Sequence, residues 1–279
     1  MRRVAAFIAA LLAWTGVALG APKAEIWEVW AQHDERGERV VNHQPWEEFL
    51  QKFVVESPDG STRVKYGAVD YEARARLGLY LQDLGRVRVT KLRRDEQRAL
   101  WINLYNAFTV KLVLERYPIS SIRVLDISPG IFTSGPWGAK LLKIQDDTLS
   151  LDDIQHRILR PIWNDPRTHY VLCNSASSAP NLPRHAFTAS NLEPQLEAAA
   201  RAFVNDPRGV RIEDGKLHLS PLYGDYKADF GGSDQALIEH LTRYAAPALA
   251  MDLSVVGKVT ADNTYDWLLN DAEPMKELE

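Results

Sequence analysis

Three groups of residues in this 279-residue chain carry side chains whose types and spacing suit chemistry. In Trp101-Ile102-Asn103-Leu104-Tyr105-Asn106, two carboxamides stand three residues apart, with Trp101 and Tyr105 four apart beside them, so on a helix each pair shares a face. Such amides suit a binding site. They equally suit buried loop backbone, because a sealed amide without partners costs about 1–3 kcal/mol. The second group is the imidazoles of His156 and His169, and His156 lies one helical turn after Asp152, a carboxylate placed to orient its ring. The third is the polar run Asn174-Ser175-Ala176-Ser177-Ser178-Ala179-Pro180 that follows His169. A hydroxyl beside an imidazole is the arrangement for nucleophilic acyl transfer, with the ring as general base.

His169 and His156 are therefore the candidate bases and Ser178 the candidate nucleophile, with Ser175, Ser177 and Cys173 in reserve. Asn103, Asn106, Tyr105, Asn174 and Arg160 are the candidate binding residues, and Arg160 with Asp229 would make an ion pair bracketing the pocket. Trp137, Tyr223 and Tyr226 follow prolines and could offer rings to a ligand, although rings folded onto a core are the commoner outcome. A metal on Asp152, His156 and His169 has no recognised ligand spacing behind it, so no metal or other cofactor is expected. Gly-x-Ser-x-Gly, His-Glu-x-x-His and phosphate-loop patterns do not occur in the sequence.

The apolar spacing supplies the elements that must position these groups. Pro45, Trp46, Phe49, Leu50 and Phe53 predict a first helix, Val64, Tyr66 and Val69-Tyr71 an extended piece, and Leu77, Leu81 and Leu84 a second helix closing at Gly85. The longest periodic run lies between Arg93 and Arg116 and is apolar around much of the helix, which predicts a buried central element ending at Tyr117-Pro118. Residues 122–127 and 141–144 read as strands, and Ser150 as the cap of a helix that Pro161 stops. Residues 169–173 read as a short strand, 191–204 as a helix, and Val210-Ile212 with Leu217-Leu219 as a hairpin about Asp214-Gly215. A helix over 234–246 and an extended segment near 258–267 follow. Without regular alternation the class is α+β: one domain over 45–272, with a buried central helix and a small mixed or antiparallel sheet, after a loosely structured segment at 21–44.

Residues 1–20 read differently: Arg2 and Arg3, an apolar stretch, then small residues before Ala21 predict a cleaved signal peptide. The expected location is periplasmic or secreted, with no lasting membrane span. The lone Cys173 allows no intramolecular disulfide. A formal charge of -4 with no basic tail argues against nucleic acid and leaves a small molecule or peptide as the expected ligand. Nothing in the sequence sets an oligomeric state.

Several motifs in order give the chain a resemblance. Trp101-Ile102-Asn103-Leu104-Tyr105-Asn106-Ala107, Tyr117-Pro118, Ser150-Leu151-Asp152-Asp153-Ile154-Gln155-His156 with Ile158-Leu159-Arg160, His169-Tyr170, Pro180-Asn181-Leu182, Asp229-Phe230 and Tyr265-Asp266-Trp267 with Asn270 together resemble the "domain of unknown function 547" family, over roughly residues 46–270. The resemblance brings no established activity. Many bacterial members read Asn-Cys-Ala-Ser and then Ser-Cys-Pro after the histidine, a signature like that of a thiol hydrolase or acyl-transfer enzyme. This chain departs from it. Ala179 stands where the family has a thiol before Pro180, Cys173 falls one position early, and Gln155 replaces the usual Glu. On an extended strand that one-residue shift would turn the sulfur to the opposite face.

The first expectation is thus a degenerate thiol-hydrolase-like domain acting as a ligand-binding or scaffold protein. The second is a hydrolase or acyl transferase that uses a serine or Cys173 with His169 or His156 as base. Peptide or cell-wall amides would be its substrates by compartment and analogy alone.

Overall fold

The helical recurrence of Trp46, Phe49, Leu50 and Phe53 puts four large apolar side chains on one face, and all four are buried. In the computed structural model, which describes residues 22–130, 134–256, 259–260 and 263–273, they lie on helix α2 (Gln44–Phe53), preceded by a single turn, α1 (Glu28–Ala31). The expected signal peptide lies outside the described residues. Trp30 of α1 is buried edge-on against Trp101, with ring centroids 5.3 Å apart. An antiparallel hairpin, β1 (Val54–Glu56) and β2 (Thr62–Val64), leads to α3 (Tyr71–Gly85), whose first turn is capped by Asp70 accepting from the Ala73 N–H at 2.8 Å.

Helix α4 (Arg94–Arg116) is the centre of the fold, and every residue from Glu96 to Val110 is buried. A helix enclosed on all sides must find internal partners for its polar side chains. Gln97 donates to the carbonyls of Gln32 and Val89, Arg98 to Asp165 and Thr168, and Thr109 to the carbonyl of Tyr105. Strands β3 (Leu142–Ile144) and β4 (Asp147–Leu149) then form a second antiparallel pair.

Ser150 caps the next helix as expected, in a reciprocal box. Its Oγ accepts from the Asp153 N–H at 3.1 Å, while Asp153 Oδ2 accepts from the Ser150 N–H at 2.8 Å. Two features of that helix were not legible in the sequence. Residues Asp153–Leu159 form a π-helix, an uncommon geometry often found at functional sites, and His156 lies within it. Pro161 does not stop the helix either, because it sits in the first turn of α5 (Arg160–Trp163). The carbonyls left over by the wide turn and the proline accept from the N-terminal segment: His156 O from the Glu25 N–H at 3.0 Å and Arg157 O from the Trp27 N–H at 2.9 Å. The helix ends at Asn164, in the left-handed region with φ 45°.

Two expected strands are 3₁₀ turns, Ile122–Val124 and Pro166–Tyr170. Each is closed by a side chain that accepts an N–H two residues on, Ser121 from Arg123 and Asp165 from Arg167, and this local bond overrides the apolar run. Helix α6 (Leu192–Val204) is followed by β5 (Val210–Glu213) and β6 (Lys216–Leu219), which turn through Asp214 and Gly215, both at positive φ, as a tight hairpin requires. Helices α7 (Pro221–Asp225), α8 (Asp234–Tyr244) and α9 (Pro247–Leu253) precede β7 (Val259–Thr260), which runs parallel to β6.

The class is α+β in one domain, and the described residues form two small antiparallel sheets and a mixed three-stranded one. Its apolar interior forms two clusters. The larger surrounds α4, the smaller gathers Tyr170, Tyr223, Phe230 and residues of α8, and α6 contributes Leu196 to the first and Phe203 to the second. The site lies where the two meet. Among the described residues no helix is long and apolar enough to cross a membrane.

Candidate functional site

Asp229 ties the floor of the site together. It sits in a 3₁₀ turn, Lys227–Phe230, and accepts from three donors: Arg160 Nε at 2.6 Å and Nη2 at 3.0 Å in a fork, and His169 Nε2 at 2.7 Å. Burial would raise the Asp229 carboxyl, but hydrogen bonds and charge from His169 and Arg160 overcome it and hold the group well below the ordinary carboxylate range. An ionised Asp229 makes His169 Nε2 the donor, so the lone pair of the neutral ring is on Nδ1, which is buried and has no hydrogen-bond partner among the described residues. Burial holds the His169 pKa below its usual value, with Asp229 pulling the other way. The ring is stacked under Tyr226, with centroids 4.1 Å apart.

Arg160 also donates from Nη1 to His156 Nδ1 at 2.9 Å. Guanidinium only donates, so Nδ1 accepts and the neutral ring of His156 carries its hydrogen on Nε2, which faces Asp152 Oδ1 at 3.6 Å. Burial, then the charge of Arg160, lower the His156 pKa to about 3, so this imidazole is neutral at pH 7. Asp152 moves the opposite way: burial and the neighbouring Asp153 raise it to about 6. Gln155 donates to the Tyr226 hydroxyl at 3.0 Å, and the Arg160 guanidinium lies 4.8 Å from the centroid of that ring.

Above this floor opens a cleft of about 630 Å³, within the range of small-molecule sites. One wall is aromatic: Tyr265 tilts on Trp267 at 4.6 Å, and Trp267 meets Trp137 edge-on at 5.6 Å. Trp137 packs against Gly135, whose φ is +78° and where a Cβ would fall 2.1 Å from the indole. Asn174 exchanges hydrogen bonds with the Tyr265 hydroxyl at 2.9 and 3.1 Å, and Tyr105 enters from α4. Asp152, Asp225, His156 and His169 complete the ionisable lining.

The two imidazoles, Tyr105 and Asn174 therefore converge, with Arg160 directly beneath. Asn103 and Asn106 do not line the cleft. Asn103 brackets the backbone of Phe187, donating to its carbonyl at 2.8 Å and accepting from its N–H at 2.9 Å, and Asn106 likewise bridges the Val171 carbonyl and the Cys173 N–H. An enclosed helix spends its amides on loop backbone, which corrects their expected place among the binding residues.

Ser178 is corrected too: its Oγ accepts from the Asp266 N–H at 2.8 Å, outside the cleft. The Ser175 hydroxyl accepts from the Tyr66 hydroxyl at 3.1 Å, and Ser177 donates weakly to the Leu269 carbonyl at 3.4 Å. None of the three contacts an imidazole. Cys173 is not among the residues that line the cleft, and strand alternation does not govern its place, because residues 166–170 are helical and the chain then turns. Its sulfur accepts from Asn270 Nδ2 at 3.6 Å, and burial raises the thiol to about 11. Tyr223 is buried in the smaller core, while Trp137 and Tyr226 do line the cleft. Among the described residues no three His, Cys, Asp or Glu side chains cluster as a metal site.

Sequence reasoning passed over Gln155, Asp225, Tyr265 and Trp267 as lining residues. The alternate spacing of Tyr265 and Trp267 was the available signal, since alternate residues of an extended segment share a face. The model of a family described as "Protein of unknown function, DUF547" matches residues 89–204. It is this segment, less than half of the 279-residue chain, that is similar to the DUF547 family. The match is shorter than the span of the resembling motifs. The DUF547 segment contributes Tyr105, Asp152, His156, Arg160, His169 and Asn174, whereas Tyr226, Asp229, Tyr265 and Trp267 follow it. No curated protein and no solved structure matches the chain.

Proposed function

We propose that this protein is an exported ligand-binding member of the DUF547 family, one that keeps the cleft and has lost thiol chemistry. The observation that carries the reading is the divorce of the single thiol from the converging imidazoles of His156 and His169. Cys173 is 2% exposed, protonated at neutral pH and bonded to Asn270, while Arg160 takes His156 Nδ1 and Asp229 takes His169 Nε2. A nucleophile needs an activated, reachable atom beside its base. Ala179, buried before Pro180, supplies none, and Ser175, Ser177 and Ser178 are spent on structural bonds.

Incubating the folded protein with an activated thioester and weighing it by mass spectrometry tests the reading. We expect an unchanged mass in the native protein and an adduct only after unfolding. Rapid stoichiometric acylation of the native chain at neutral pH, at Cys173 or at a serine, would overturn it.

A further inference from the structure

We infer that the cleft takes an organic ammonium ion, held by Asp152 within a surround of Tyr105, Trp137, Tyr226, Tyr265 and Trp267. The inference deepens the binding reading and rests on it. Its first support is charge. Asp152 and Asp225 line the cleft, and among the described residues no lysine or arginine does. The cations nearby are engaged: Arg160 by Asp229, Lys140 by Asp153 and Lys227 by Asp234. His156 Nε2 lies 3.6 Å from Asp152 Oδ1, on a ring that burial and the charge of Arg160 keep neutral. Asp225 has no ion-pair partner among the described residues. An anionic ligand would meet carboxylates and no free donor charge; a cation would meet its counter-ion.

The second support is the surround. Ring faces carry negative potential and attract ammonium groups, most strongly where water is excluded. Tyr105 adds a hydroxyl with no partner among the described residues on a side chain 2% exposed at the cleft wall, an acceptor for a ligand N–H. Burial and the neighbouring Asp153 raise the Asp152 pKa further than the charge of Lys140 lowers it, which agrees with a carboxylate only partly compensated within the protein.

Titration calorimetry of the folded chain with glucosamine, N-acetylglucosamine and benzyltrimethylammonium tests this. In the second an N-acetyl group replaces the ammonium of the first and removes its charge, and the third asks whether a quaternary cation suffices without the sugar. Both cations should bind, with glucosamine at least about tenfold tighter than its neutral counterpart. Asp152→Asn should abolish that preference; among the described residues the carboxylate makes no hydrogen bond, so the variant should fold, and Asp225→Asn gives an independent second reading of the same charge. N-acetylglucosamine binding as tightly as glucosamine overturns the inference and leaves a binding cleft. If no probe binds, the inference and the binding reading fall together.

Discussion

Arg160 and Asp229 meet in a forked ion pair 69 residues apart in sequence, with Nε 2.6 Å from Oδ2 and Nη2 3.0 Å from Oδ1. The pair fastens the DUF547 segment to the turn behind it and fixes both imidazoles, because Arg160 occupies His156 and Asp229 occupies His169. The Arg160 side chain is only 6% exposed. Removing one partner of such a pair leaves an uncompensated buried charge, so Asp229→Ala should lose about 3–5 kcal/mol of stability in urea titrations. Replacing both partners with apolar residues of similar size should cost less than Asp229→Ala alone, and a double variant as unstable as the single one would show that the pair is not the unit.

Acid should destabilise the protein in two steps. The His156 and His169 pKa values are lowered by folding, so the unfolded chain takes up protons first; their contribution is complete above the ordinary value of 6.5 and is lost as pH falls below it. Asp229 is lowered in the same sense from 3.8, so its contribution is lost only at still lower pH. Asp152 is raised by folding and acts oppositely, its favourable term growing as pH falls through about 6. Thermal melts across pH 7 to 5 should show falling stability that His156→Gln flattens; an unchanged slope in that variant would remove His156 from the acid limb.

The amides of α4 should matter to stability before they matter to ligand. Asn106→Leu orphans the Val171 carbonyl and the Cys173 N–H, each costing about 1–3 kcal/mol when buried. Urea midpoints measure that loss. A neutral result would mean these backbone groups find other partners.

Gly135 should control the aromatic wall. Alanine there meets the Trp137 indole at 2.1 Å with the backbone at φ +78°, so Gly135→Ala must displace the ring. We expect about 1 kcal/mol or more of destabilisation and a shift in tryptophan emission. Unchanged emission would place Trp137 away from Gly135 in solution.

The repeating apolar residues made the elements legible: α2, α3, α4, α6 and the Asp214-Gly215 turn stand where their spacing puts them. The strands expected at 122–127 and 169–173 are not there, because a single Ser or Asp accepting an N–H two residues on decides between turn and strand, and apolar periodicity does not register that bond. The π-helix escaped for a related reason, since the partners of its freed carbonyls, Glu25 and Trp27, lie more than a hundred residues away in sequence. At the site, unusual residue types pointed to both imidazoles and Arg160, but residue type alone could not separate Asn174, which reaches the cleft, from Asn103 and Asn106, which serve backbone. That distinction is set by the element each amide leaves: Asn103 and Asn106 stand on an enclosed helix, Asn174 on the irregular segment after the 3₁₀ turn.

The most direct test of a cleft without thiol chemistry is the alkylation rate of Cys173 by iodoacetamide at neutral pH, in the folded protein and in urea. A thiol raised from 9.0 to about 11 holds about a hundredfold less thiolate, and burial slows its reaction further. The account predicts native labelling at least about a hundredfold slower than unfolded labelling. A native rate equal to or faster than the unfolded one would contradict it.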